Sequence, residues 1–245
     1  MKVRGVLAAL LLLIGLQSAL AQKFTVYMAN KQVVKFSVTE VDSIVFSELD
    51  DWVDLGLPSG TLWATCNVGA SKPEECGDYF AWGETTTKGT YNWSTYKYCM
   101  GDRYKLTKYC TDSDYGAVDN KTELEPSDDA ATVNWGSGWQ MPSEEQFKEL
   151  INSSNTTTTW TTMNGVKGRK ITSKSNGNSI FLPAASRRDG TSLGSAGSGG
   201  YYWSRSFGTS YSYNACSLYF YASDIYASSY GRSHGQSVRP VRVKN

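Results

Sequence analysis

Val6 to Leu16 is a nearly unbroken apolar run, with Lys2 and Arg4 before it and Ala19-Leu20-Ala21 after it. A cationic head, a short apolar stretch and a small-x-small end predict a signal peptide over residues 1–21, with mature chain from Gln22. The run is shorter than a comfortable membrane span, and no later window approaches the roughly 18 apolar residues of one, so no transmembrane segment is expected. Beyond it, Phe24-Thr25-Val26-Tyr27, Val33-Val34-Lys35-Phe36 and Ile44-Val45-Phe46 are short β-prone runs. They predict a small β lead-in over 22–51. Glu48, Asp50, Asp51 and Asp54 then lead into a Gly/Pro turn at Leu55-Gly56-Leu57-Pro58-Ser59-Gly60, and the main domain is placed over 52–245.

Within that domain, Thr61-Leu62-Trp63-Ala64-Thr65 and Tyr79-Phe80-Ala81-Trp82 are bounded by glycines and read as buried strands, their tryptophans as core. Tyr91 to Tyr115 lacks a sustained period and reads as a long structured excursion held by aromatic packing. One helix is predicted over Pro142 to Ile151. Pro142 and Ser143 start it, Glu144 and Glu145 suit its first turn, and Phe147, Leu150 and Ile151 form its apolar face. Strands follow at 160–161, 168–172, 179–182, 201–204, 218–221 and 238–243. The expected class is α+β, a mixed or antiparallel sheet with one or two flanking helices.

Composition narrows the chemistry. With 24 Lys and Arg against 23 Asp and Glu the charge is +1, which offers no general attraction for nucleic acid. A single histidine, His234, excludes centres built on several imidazoles. Neither GxxxxGK[ST] nor GxGxxG occurs. Five cysteines must leave at least one unpaired. Cys66-Cys76 and Cys99-Cys110 are the local pairs that a turn would bring into disulfide range, and buried reduced thiols are the competing reading. Cys216 is the late cysteine to inspect for reactivity.

Six phrases in order carry a resemblance: "WVDLGLPSGTLWATCNVGA" from Trp52, "GDYFAWGET" from Gly77, "VNWGSGWQMPSEEQFKEL" from Val133, "VKGRKITSKSNGNSIFLPAA" from Val166, "GGYYWSRS" from Gly199 and "GQSVRPVR" from Gly235. Together they closely resemble the Fibrobacter succinogenes major paralogous domain, over roughly Trp52 to Val243. The resemblance implies a C-type-lectin-like α+β architecture of exported Bacteroidetes proteins, related to sulfatase-modifying enzymes and to retroelement-diversified binding proteins. It implies architecture more than activity.

Asp112, Asp114, Asp119, Asn120, Glu123, Asp128 and Asp129 gather oxygen ligands in one tract, the chemistry Ca²⁺ takes. The tract lacks the EF-hand pattern, and the Glu-Pro-Asn and Gln-Pro-Asp triplets of sugar-coordinating C-type lectins are absent. The expectation is therefore no required cofactor, with these residues as the calcium candidates. Thr191 to Ser237 holds 13 Ser, 8 Tyr and 7 Gly among 47 residues. Tyrosine offers broad amphipathic contact, and Ser and Gly let it adapt, so the tract suits a recognition surface. The contact candidates are Tyr211, Tyr213, Asn214, Tyr221, Ser223, Asp224, Tyr226, Tyr230, Arg232 and His234. The leading expectation is an exported, non-enzymatic protein recognising a protein or glycan at the cell surface, with no catalytic residues. A structural or assembly role in the envelope comes next, and a formylglycine-generating-like enzyme last.

Overall fold

The computed structural model describes residues 23–27, 33–37, 51–194, 196–208 and 210–243. The expected signal peptide over 1–21 and the β-prone run at 44–46 lie outside them. The chain divides into two units, Met1–Leu49 and Asp50–Asn245. In the first, β1 (Lys23–Tyr27) pairs antiparallel with β2 (Val33–Ser37), Thr25 opposite Lys35.

The second unit is built from small antiparallel sheets. β3 (Trp52–Asp54), β4 (Thr61–Ala64) and β13 (Val241–Val243) form one of them, in the order β13-β4-β3. Trp63 faces Val241 on one side and Val53 on the other, so the two ends of the domain are laced together. β5 (Thr156–Met163), β6 (Val166–Ser173) and β7 (Ser179–Pro183) form a meander. Its first turn is Asn164-Gly165, both at positive φ, as a two-residue hairpin of matching twist demands. β8 (Arg188–Asp189) and β9 (Ser192–Leu193) make a short hairpin. β10 (Gly199–Phe207), β11 (Asn214–Tyr221) and β12 (Ile225–Gly231) complete the set. The class is α+β with mostly antiparallel sheets, and no sheet closes into a barrel among the described residues.

Two helices join them, α1 (Ala130–Trp135) and α2 (Glu144–Ile151). α2 starts two residues later than the expected Pro142. The Ser143 hydroxyl accepts the Gln146 amide at 3.1 Å and the Gln146 side chain accepts the Ser143 amide at 2.8 Å, so the reciprocal cap is Ser143 and Pro142 stays outside. Phe147 and Leu150 are buried, and Phe147 lies 5.9 Å from the Trp63 ring. They close a core with Leu55, Ile171, Leu182, Tyr202, Leu218 and Phe220. Gly200 belongs to this packing: a Cβ there would meet the Phe220 ring at 2.3 Å.

A second core lies under the excursion and contains Trp82, Tyr91, Tyr96, Tyr98, Tyr109 and Trp203. Between β4 and β5 the described chain has only 3-10 turns and helices. Tyr79 to Trp82 is buried as expected, but it is not a strand. It makes one bridge, Phe80 to Gln236, before Gly83 turns it away at positive φ. Backbone groups that sheets leave unpaired still need partners, and here aromatic tips provide them. Tyr79, Tyr91 and Tyr96 donate to the carbonyls of Ala185, Tyr79 and Trp82 at 2.6, 2.6 and 2.9 Å. The indoles of Trp82 and Trp203 donate to Ser204 and Phe80, each at 2.8 Å. The heavy aromatic load therefore stabilises irregular chain as well as filling volume.

The cysteines do not bridge. Cys66, Cys76, Cys99, Cys110 and Cys216 are all free, which corrects the expected Cys66-Cys76 and Cys99-Cys110 pairs. Their thiols turn to local acceptors instead: Cys66 to the Ala70 carbonyl at 3.3 Å, Cys99 to Trp93 at 3.0 Å and Cys110 to Asp112 at 3.1 Å. The expected strand at 238–243 is also shorter, starting at Val241. Pro240 carries no N–H for a ladder, and Arg239 turns into the interior.

Candidate recognition surface

The acid tract serves the excursion. Asp119 accepts the Tyr109 and Cys110 amides at 2.9 Å each. Asp112 caps a 3-10 turn through the Asp114 amide, and Asp129 caps α1 through Thr132 and also accepts the Met141 amide at 2.8 Å. Glu123 pairs with Arg205 at 3.2 Å, and Asn120 sits at positive φ. Asp128 accepts from Lys108 at 2.5 Å and from the Tyr109 hydroxyl at 2.7 Å. Among the described residues no group of three or more His, Cys, Asp or Glu side chains is arranged to hold a metal ion.

Burial alone would raise the Asp128 carboxyl, but hydrogen bonds from Lys108, Tyr98 and Tyr109 bring it below its usual range. A depressed carboxylate stabilises the fold above its unfolded value, about 3.9, and loses that contribution as pH falls through its folded value. Asp128→Asn should therefore destabilise the protein by about 2 to 3 kcal/mol near neutral pH. That is less than the about 3 to 5 for breaking a fully buried pair, because Lys108 keeps some solvent contact. Urea unfolding at stepped pH checks this: the gap between parent and variant should hold near neutrality and close below about pH 4.

Strand alternation builds the surface itself. In β10 and β11, Tyr202, Leu218 and Phe220 point into the core under α2, so Tyr201, Tyr219 and Tyr221 take the opposite face. β12 adds Tyr226, opposite Tyr219 in the register, and Tyr230. The rings touch: Tyr201 lies 5.9 Å from Tyr219 and 5.3 Å from Tyr230, and Tyr219 lies 5.5 Å from Tyr226. The Arg187 guanidinium sits 4.8 Å from the Tyr201 ring and 4.9 Å from the Tyr230 ring. Tyr221 and Tyr226 are exposed. Asp224 and Ser223 form the exposed turn between β11 and β12, and the Asp224 carboxylate holds the Tyr226 phenol above its ordinary value.

A second cluster adjoins the first. Tyr211 stacks on Tyr213 at 5.2 Å and Tyr104 on Tyr115 at 5.6 Å, while Arg103 lies 4.9 Å from the Tyr104 ring and 5.0 Å from that of Tyr213. A shallow cleft of about 280 Å³ joins the two groups, with Trp93, Arg103, Tyr213 and Asn214 on one side and Tyr230 and His234 on the other. His234 rests edge-on against Tyr230; its Nδ1 is 2.9 Å from the Gly231 carbonyl and its Nε2 is 3.6 Å from Asp189.

Nine of the ten sequence candidates thus lie on or beside this face. Arg232 does not. It is fully buried, its Nη2 donates to the Tyr109 carbonyl at 2.5 Å, and its guanidinium lies 4.7 Å from the Trp82 ring. Burial, partly countered by Tyr96, holds its pKa below the usual guanidinium value. Trp93, Arg103, Tyr104, Tyr115, Arg187, Tyr201 and Tyr219 were missing from the candidates. For Tyr201 and Tyr219 the signal was available, since alternation with Tyr202 and Leu218 puts them on the opposite face, where Tyr219 is half-buried and Tyr201 is buried beneath its neighbours; the others come from loops without a period. Cys216 is buried against the Phe207 carbonyl at 3.1 Å, and burial, with Glu144 adding to it, pushes its thiol up to about 12. It is therefore a protonated, shielded thiol near neutral pH, whereas thiol chemistry runs through an accessible thiolate.

No family model matches the chain, and no curated protein or solved structure matches it either. Among the described residues no helix is long and apolar enough to cross a membrane.

Proposed function

We propose that this chain is an exported recognition protein with a C-type-lectin-like domain, binding a surface ligand through the tyrosine face of β10, β11 and β12 and the adjoining Tyr104, Tyr115, Tyr211 and Tyr213. One observation carries the reading. Exposed tyrosines and two guanidiniums, each lying against two rings, gather on and beside the face of β10, β11 and β12 that turns away from the core under α2. Packing alone does not call for exposed Tyr211, Tyr221 and Tyr226 beside positioned arginines, whereas interfaces favour Tyr and Arg as anchors. The α+β architecture and the ordered phrases from Trp52 to Val243 support the domain assignment. The buried state of Cys216 favours binding over thiol oxidation.

Arrays of printed glycans and peptides probed with the purified full chain test the proposal. Saturable binding is expected to one class. Tyr211→Ala, Tyr221→Ala and Tyr226→Ala should each weaken it by about 1 to 4 kcal/mol where the residue is central, and near zero at the rim. Each variant must keep the parental thermal transition. If all three bind as the parent does while substitutions on β5 or β6 abolish binding, the tyrosine face is scaffold and the proposal fails.

A further inference from the structure

Beside the tyrosine face, β8 and β9 overhang a cleft of about 480 Å³ lined by Arg187, Asp189, Ser192, Ser198 and the rings of Tyr201 and Tyr221. Its volume falls within the about 300 to 1,000 Å³ of small-molecule sites. Among the described residues Arg187 is its only cationic lining group. No described residue accepts a hydrogen bond from the Arg187 guanidinium or pairs with it; its protein contacts are the two tyrosine rings. Its Nε is buried without a partner, whereas the two Nη groups retain solvent access. Two parallel N–H donors on a clamped plane match the two oxygens of a carboxylate.

The rest of the lining narrows the class. Asp189 also lines the cleft, so its carboxylate would repel a doubly charged phosphate more than a singly charged carboxylate held at Arg187. Ser186, Ser192 and Ser198 bring hydroxyls, Gly194 and Gly199 bring bare backbone, and among the described residues no aliphatic side chain lines the cleft. The Tyr201 and Tyr221 hydroxyls bond each other at its wall. Such a wall suits a ligand rich in hydroxyls, with the exposed Tyr221 ring as a surface for its C–H face. Ser186 holds φ 58°, a conformation that is sparse for a residue with a Cβ, and its bridge to Gly200 fixes the chain just before Arg187.

We infer that the Arg187 cleft binds the carboxylate of an acidic sugar, a uronate unit whose hydroxyls meet Asp189 and the serines. The inference deepens the recognition reading by naming its ligand class, and it rests on that reading. Methyl glucuronoside and methyl glucoside, which differ in the carboxylate alone, are the probes. Saturation-transfer NMR and calorimetry with the full chain should show binding of the first at least tenfold tighter than of the second. Arg187→Gln should remove that preference by at least tenfold, and Lys170→Gln, the same charge change at an exposed site on β6, should leave it intact. Should Arg187→Gln lower the thermal transition, Ser192→Trp provides the check, because it adds bulk at an exposed residue of the lining while keeping Arg187, and it should also abolish uronoside binding. Equal affinity for both glycosides overturns the assignment, as does equal or tighter binding of inorganic phosphate or a triglutamate peptide. Loss of array binding in the tyrosine variants without any uronoside preference would sink the cleft assignment alone and leave the recognition face standing.

Discussion

Replacing Arg239 with Met should lower the stability of the Asp50–Asn245 unit by about 3 to 5 kcal/mol, the range for removing one partner from a buried polar network. Arg239 is fully buried, and burial, opposed by Tyr202, lowers its pKa from the ordinary guanidinium value. Its Nε donates to the Asn67 side chain at 2.8 Å, Nη1 to the carbonyls of Ala64 and Thr65 at 3.0 and 2.9 Å, and Nη2 to Phe181 at 3.0 Å. One side chain thus joins the end of β4, the loop after it and β7, just before β13 closes the domain. Methionine keeps much of the volume but leaves these acceptors without donors, each costing about 1 to 3 kcal/mol if buried and unmet. For a domain of this size the loss corresponds to a fall of about 6 to 20 °C in Tm. Arg239→Lys keeps the charge without the planar fork and should recover less than half of it. A parental melting curve for Arg239→Met would show that these carbonyls find other partners and that the network is dispensable.

How far the sequence is legible depends on whether a residue's role is local. α2 was readable because Ser143, Gln146, Phe147 and Leu150 signal cap and face within one short stretch. The β5–β6 hairpin carries an equally local sign in Asn164-Gly165. Tyr79–Trp82 misleads because β-formers between glycines describe burial as well as strand, and here burial alone holds. α1 lay hidden behind an acid tract that invites a calcium reading, yet Asp129 is its cap. The tyrosine face was partly legible from composition, but composition does not assign sides: Tyr201 and Tyr202 are neighbours, both buried, on opposite faces of β10. Arg187 and Arg103 gave no sign at all, since Arg187 takes its rings from β10 and β12 and Arg103 joins its neighbour Tyr104 to the distant Tyr213, pairings that only the fold brings together.

Arg232 marks the sharpest divide between composition and position, and its substitution separates them by experiment. It follows β12 directly, inside the Tyr/Ser tract, yet the chain turns inward there and its guanidinium enters the second core. It donates to the carbonyls of Asn214, Lys108 and Tyr109 at 3.3, 3.3 and 2.5 Å, and lies 5.1 Å from Phe207 as well as against Trp82. Its guanidinium therefore pins the excursion to β11, while its backbone amide donates to the Tyr213 carbonyl at 3.1 Å. Arg232→Met should cost about 3 to 5 kcal/mol and should loosen the excursion first. Hydrogen exchange should speed up at the Tyr109 and Cys110 amides, now held by Asp119, more than in β5 to β7. Ligand binding should weaken in step with that loosening, whereas Tyr226→Ala should weaken it with exchange unchanged. A variant at Arg232 with parental stability and exchange but impaired binding would return this residue to the recognition surface and contradict its burial.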